Sequence, residues 1–406
     1  MPFVTLPVSH IAVYAPTNLP DSAWQAWSTL QQSQPCFDAP SLRPEFIRLL
    51  APLRPYLRIA VATADDRPVA FLPFVVDSHG HAYPPGQWLM SFQGPLCDPD
   101  CKIDQHQWLA ACGVKQLRFD RLVVPVATLD NNILSTAASP VIDLSRGYAG
   151  YKHDLKARRS KLIKRVEQKR RHAERLLASV ELADEAMFPD SLELLVSWRR
   201  ERNRAILAAD FLSVPWVTDF MRILCEQRRE LFRGRLFVLR LGHQPAAALL
   251  AIQTGPVLEC VVTAFNPQLA MYSPGFLMFH QLVREAADYG ITRIHLTRGT
   301  EHFKERFENE EVTVADAIFG QSAISRQTAR ARLGAKHLIW RTPLGQPVRR
   351  LWRRLVRTAE RIGVQEQTWM DMPTVEATSI SSHPEGALAT EGSGLPPHTL
   401  SDPCKE

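Results

Sequence analysis

The clearest ordering of apolar and polar positions lies between Gly234 and Phe319. Arg235–Leu241, Ala246–Gln253 and Val257–Phe265 read as three strands, because short apolar runs are separated by the tight turns Gly242–Gln244 and Thr254–Pro256. The period then changes. Asn266–Pro274 is polar, after which Phe276, Phe279, Leu282, Val283 and Ala286 recur at helical spacing, so a helix is predicted from Gly275 to Tyr289, stopped by Gly290. Thr292–Leu296 follows as a strand, Glu301–Phe307 as a short helix and Val312–Phe319 as a last strand. Three meandering strands thus feed a strand–loop–helix–strand unit.

The first half carries a related, less regular pattern. Ser22–Gln31 places Trp24, Trp27 and Leu30 on one helical face behind Asp21, a good N-terminal cap. Glu45–Leu53 is a second short helix, and Leu57–Thr63 and Val69–Val76 form a hairpin around Ala64–Arg67. The Gly-, Pro- and His-rich stretch Asp77–Pro99 carries aromatic residues, and long ordered loops of that kind are more often functional than connecting. A helix at Asp104–Cys112 and strands at Leu117–Val124 and Pro140–Leu144 complete this half.

Gly147–Leu177 is expected as one long helix, followed by a strand at Val180–Leu182 and helices at Pro189–Ile206 and Val214–Leu231. Beyond residue 320, Val348–Ile362 sets an apolar stripe with Trp352 against a row of arginines. Pro373–Glu406 has too few large apolar residues to offset its ordering entropy and is expected to be disordered. The pattern is that of an α/β protein with mixed sheets flanked by helices. Its divisions are an N-terminal α/β domain at 1–146, a helical connector at 147–232, a C-terminal core at 233–320, a basic helical extension at 321–365 and a tail at 366–406.

Composition narrows the setting. Of 406 residues, 45% are hydrophobic and 22% charged, which is ordinary globular usage. No basic leader with an apolar run opens the chain, and no window reaches the length of a membrane span, so a cytoplasmic location is expected. Seven scattered cysteines point to reduced thiols. Cys97 and Cys101, beside His79 and His81, make half a metal site without a second pair, and no metal is expected.

The net charge of +6 hides two strongly basic elements. Lys152–Arg175 holds eleven Lys and Arg against three acids, and Gln321–Arg361 another eleven against Glu360 alone. No aromatic residues interleave the first run as single-stranded nucleic acid would require, so a solvated face or one meeting a phosphorylated substrate fits it better. The second, through Val348–Ile362, fits either packing on the body or peripheral contact with an anionic membrane.

Several short motifs occur in a characteristic order: Phe71-Leu-Pro-Phe-Val75, Pro84-Pro-Gly86 before Gln93-Gly-Pro95, the Arg-rich helix, Tyr272-Ser-Pro-Gly275 opening a helix, and Arg298-Gly-Thr-Glu301 before Phe303-Lys-Glu-Arg-Phe307. From about Ser22 to Arg361 the chain resembles the CelD-type acyltransferases of cellulose and exopolysaccharide biosynthesis, in the GNAT superfamily and related to the FemAB-like tandem fold. The resemblance implies tandem GNAT-like domains, acetyl-CoA as cosubstrate, and a sugar or lipid-linked carbohydrate acceptor. It also implies two other readings: a non-catalytic accessory of a polysaccharide-synthesis complex, or aminoacyl transfer from tRNA. The family usually has Asp and Gly where His295 and Thr297 stand, and Tyr where Phe303 stands.

The chemistry singles out particular residues. Ser273 at a helix start, Pro274 at its first position and Gly275 form an anion site for a coenzyme pyrophosphate, with Tyr272 beside it. The same three residues equally specify a well-capped helix. The acyl oxygen would meet backbone amides on the strand ending at Phe265. Glu259 is a candidate base on that strand, and His295 a candidate base titrating near neutrality. Arg298 and Lys304 are placed to clamp a phosphate or carboxylate; Glu301 and Lys304, three apart, equally specify a surface ion pair.

Overall fold

Both halves of the chain run through the same succession of elements. The computed structural model describes residues 8–101, 103–123, 132–158, 160–205, 210–229, 231–297 and 302–320. The first half contains β1 (His10–Tyr14), α1 (Asp21–Gln32), α2 (Pro44–Leu50), β2 (Arg58–Ala64), β3 (Arg67–Val76), β4 (His81–Tyr83), β5 (Leu96–Cys97), α3 (Gln105–Cys112), β6 (Gln116–Val123) and β7 (Ile133–Asp143). Two helices follow, α4 (Gly147–Ala157) and α5 (Leu162–Leu177). The second half contains β8 (Val180–Asp184), α6 (Pro189–Ala205), α7 (Pro215–Glu226), β9 (Arg228–Arg229), β10 (Phe232–Leu241), β11 (Gln244–Thr254), β12 (Val257–Phe265), α8 (Pro274–Glu285), β13 (Arg293–His295), α9 (His302–Phe307) and β14 (Glu310–Gly320).

The strands join one mixed sheet in the order β1-β2-β3-β4-β6-β14-β7-β13-β12-β11-β10-β8. Each half contributes an antiparallel meander closed by one parallel pair, β4 with β6 and β12 with β13. The last strands are exchanged. β14 lies against β6 of the first half, β7 lies against β13 of the second, and β7 and β14 pair with each other from Val141↔Glu310 to Ile133↔Ala317. The stretch expected as a connector supplies the second meander with its edge strand β8, paired to β10, and with helices α6 and α7.

Amphipathic helices cover both faces. Trp24 and Trp27 of α1, Phe46 of α2, Leu195 of α6 and Phe220 of α7 share one core with the inward faces of both meanders. On the opposite face of the second half, Leu155 of α4, Val166 of α5 and Leu277 to Val283 of α8 pack on β10–β13. The helix starts follow local chemistry: Asp104 and Gln107 form a reciprocal capping box on α3, and Pro274 occupies the first turn of α8.

Three local expectations are corrected. The single helix Gly147–Leu177 is broken into α4 and α5, because the Ser160 hydroxyl accepts the Leu162 amide and starts a new helix. α7 ends at Glu226 rather than Leu231, and the chain turns into the β9–β10 hairpin. Gly234 permits this turn: a Cβ there would lie 1.7 Å from the Leu224 carbonyl oxygen. The last strand of the first half begins at Ile133, not Pro140, since its pairing with β14 replaces the missing local signal. The basic extension at 321–365, with Val348–Ile362, and the tail at 366–406 lie outside the described residues.

Candidate active site

The parallel pair β12–β13 is short. It runs Val257↔Arg293, Leu258↔Ile294 and Glu259↔His295, and there β13 ends while β12 continues to Phe265. Immediately past the last pair, the β11–β12 register steps from Ala251↔Cys260 to Leu250↔Val262, so Val261 is an extra residue forming a bulge. Among the described residues, Cys260–Phe265 has no ladder partner on the β13 side. An edge of backbone amides is therefore turned into an opening between two strands. Unpaired strand amides are the type of donor that meets a developing oxyanion.

Alternation along β12 divides the opening into two sides. Leu258 and Cys260 join the core beneath α8, where burial pushes the Cys260 thiol up to about 12 against the opposing pull of Lys304. Such a thiol is a poor nucleophile at neutral pH. Lys304, on α9, is almost wholly buried, and its ammonium lies 3.5 Å and 3.4 Å from the carbonyl and hydroxyl oxygens of Thr297. Thr297 has φ 63°, a left-handed conformation that strains a β-branched residue and suits the glycine of the resembled family.

Glu259 and His295 lie on the other side, both fully buried under loops of the first half. The two Glu259 carboxylate oxygens accept the amides of Ser41 and Ser91, each at 2.6 Å. Glu259 is thus a clamp across the halves, with its acceptor positions facing these amides rather than a substrate. His295 Nε2 lies 2.8 Å from Asp38 Oδ1, and Phe92 meets the ring edge-on with centroids 4.9 Å apart. A carboxylate only accepts, so Nε2 donates to Asp38, and Nδ1 is buried without a hydrogen-bond partner among the described residues. Asp38 also pairs with Arg293 at 2.8 Å, and Arg293 forks onto Glu310 at 2.5 and 2.7 Å.

The start of α8 forms the third side. Ser273 is buried in a left-handed turn, and its side chain does not cap its own helix; the hydroxyl instead receives the Lys169 ammonium of α5 at 2.6 Å. The amides of Phe276 and Leu277 already bond to the Ser273 carbonyl, so the Gly275 amide is the one left over in this first turn, and a Cβ built on Gly275 meets nothing within 4 Å. Tyr272 is half-buried, with its ring 6.3 Å from that of His172. Phe265, at the far end of β12, lies under the Arg202 guanidinium. Arg298 and Glu301 lie outside the described residues.

Residues 160–305 match the family model described as acetyltransferase (GNAT) domain. The fold is that of a GNAT-type acyltransferase. FemX has the same overall fold at a TM-score of 0.51 with 9% identity, over 76% of this chain and 98% of that one. A tandem GNAT protein of the clavulanic acid pathway aligns at 0.44 and 13% identity, over 77% and 99% of the two chains. The C-terminal DUF2156 domain assigned to a lysylphosphatidylglycerol synthetase of Agrobacterium fabrum aligns at 0.47 and 12%, over 79% and 96%. Comparison with curated protein sequences gives no match.

Within this GNAT framework, sequence reasoning missed Asp38, Ser41, Ser91 and Lys169 as parts of the site. Lys169 was visible only as one charge in a basic run. Asp38 and the two serines carry no local signal, because their partners lie 168 to 257 residues away.

Proposed function

We propose that this protein transfers an acyl group, acetyl from acetyl-CoA, to a hydroxyl or amine of a sugar or lipid-linked carbohydrate precursor. The observation that carries the reading is the break in the β12–β13 ladder at Glu259 and His295, beside the glycine-opened turn of α8. The Gly275 amide and Lys169 hold the coenzyme pyrophosphate, where a helix N-terminus and a cation act together. The amides of Cys260–Phe265 receive the thioester oxygen, and Phe265 and Tyr272 flank the coenzyme arm. His295, oriented by Asp38, accepts the acceptor's proton through Nδ1, Arg298 and Glu301 engage the acceptor's charged groups, and Lys304, held by Thr297 on the α8 side, positions the chain that follows β13. Glu259 acts indirectly by holding the loops of Ser41 and Ser91 over the opening.

Acetyl-CoA that binds only the native state must raise its melting temperature. The test is that shift, together with release of free CoA in the presence of sugar nucleotides and lipid-linked sugars. Gly275→Glu places a carboxylate in open space where the pyrophosphate would lie, and Lys169→Ala removes the cation; each is expected to weaken binding about tenfold or more, the scale of a charge-assisted hydrogen bond. Absence of a shift in the unaltered protein sinks the acetyl-CoA reading. Aminoacyl transfer of the FemAB kind is the second reading, favoured by the fold shared with FemX and by basic helix α5. It expects aminoacyl-tRNA, not acetyl-CoA, to produce the shift.

A further inference from the structure

A second cavity lies apart from the β12–β13 opening. It is a cleft of about 790 Å³ along the outer groove between α6 and α7, within the range of small-molecule sites. The helices run antiparallel. Arg200 donates to the carbonyl of Leu212, just ahead of α7, and Arg228, just past α7, pairs with Asp184 ahead of α6 at 3.8 Å. The lining therefore sorts along the cleft. At the α6 start stand Met187, Phe188 and Leu192, facing Arg222 and Glu226 near the end of α7 and Arg228 just past it; at the α6 end stand Arg200 and Arg204.

The two ends differ in chemistry. Met187 and Phe188 are 71% and 61% exposed, adjacent large apolar side chains in water at the cleft lip. Arg222 and Arg228 at this end are balanced by Asp219 and Asp184, and Glu193 and Glu226 beside them keep a negative group away. At the other end, Arg200 is balanced by Asp210, whereas Arg204 has no acidic partner among the described residues. From Leu192 to Arg204 the helix rises about 18 Å, enough for a medium-length acyl chain laid along it. A purely polar anion would leave the apolar lip unexplained, and a neutral lipid would leave the arginines so.

We propose that the α6–α7 cleft binds an amphipathic anion: a single acyl chain seated against Met187, Phe188, Leu192 and Val196, with a carboxylate or phosphate head at Arg200 and Arg204. This site is independent of the acyl-transfer reading.

The probe is 11-(dansylamino)undecanoate, followed by its fluorescence on the full-length protein and displaced by dodecanoate, decanoate, dodecanol or inorganic phosphate. Saturable binding with displacement by dodecanoate is expected, roughly tenfold weaker for decanoate because two methylenes are lost. Dodecanol and phosphate are expected to compete at least tenfold less well than dodecanoate. Ser197→Trp, at an exposed lining position, fills the cleft and should abolish binding. Arg204→Glu should weaken it at least tenfold, and both variants should melt as the parent does. Vesicles of phosphatidylglycerol and phosphatidylcholine separate the sources: loss of phosphatidylglycerol binding in Ser197→Trp assigns the chain to a bilayer lipid, and monomer binding alone assigns it to a free acyl anion. The proposal is overturned by probe binding that Ser197→Trp leaves unchanged, by dodecanol competing as well as dodecanoate, or by neither monomer nor vesicle binding.

Discussion

The two halves of the sheet contain the same parallel junction and treat it in opposite ways. In the second half, β12 runs six residues past its last pair with β13, and that edge carries a bulge and no ladder partner among the described residues. In the first half the corresponding strand, β4, is three residues long, and the chain returns to β6 at Gln93. There the Gln93 amide and carbonyl bond to Arg121 and Val123, and its side-chain oxygen accepts the amides of Asp120 and Arg121. Gly94, at φ 127°, brings the backbone so close that a Cβ would meet Leu122 Cδ1 at 2.5 Å. One opening is stitched shut and the other left open. A duplicated fold can thus keep a single open junction and use the other copy to cover it, here through Asp38, Ser41, Ser91 and Phe92.

The largest effect is expected where the covering loops meet the open half. Glu259→Ala leaves two buried amides without acceptors, and the loss of two charge-assisted bonds should cost about 3–5 kcal/mol in urea denaturation. Glu259→Gln, which retains one acceptor oxygen, should cost less. Equal stability of Glu259→Ala and the parent would break the idea that the first half is clamped onto the second.

Next in size is Gln93→Ala, which removes the side-chain stitch while leaving the backbone bonds. A loss of about 2–3 kcal/mol is expected, with the acetyl-CoA thermal shift unchanged. Loss of that shift with little change in stability would reverse the roles assigned to the two halves.

The third effect, similar in size to the second and reached only in acid, is on pH dependence and belongs to the second half. His280 of α8 is 1% exposed, with Nε2 3.1 Å from the Tyr148 hydroxyl. Burial, aided by Arg284, Arg170 and Lys152, lowers its pKa from 6.5 to about 4. In the unfolded chain this imidazole takes up a proton near pH 6.5, whereas in the native state it does not do so until about pH 4. Stability is therefore intact above pH 6.5 and declines as the pH falls toward 4, by about 2–3 kcal/mol. His280→Gln should flatten this part of the profile. Carboxylates such as Glu185, held low by Arg240 and Ser191 against the opposing effect of burial, contribute only at lower pH.

Much of the second half was legible because its information is local. Turn residues marked the ends of β10 to β12, helical spacing marked α8, and Tyr272–Gly275 marked the start of that helix. Of the candidate site, the sequence named Lys304, His295 and Glu259, and the structure makes Glu259 and His295 register partners. Their surroundings were not readable, since a strand glutamate in sequence is equally a solvated residue or a buried clamp.

By itself, the sequence determined the class of most elements, the amphipathic faces and the order of the GNAT-like unit, because caps, turns and hydrophobic periods act over a few residues. Tertiary structure decided the exchange of β7 and β14, the bulge at Val261, the closing of one junction and the opening of the other, and the pairing of Asp38 with His295. These depend on which distant backbone reaches an unpaired edge first and fits it without a steric clash. No local preference along the chain encodes that outcome.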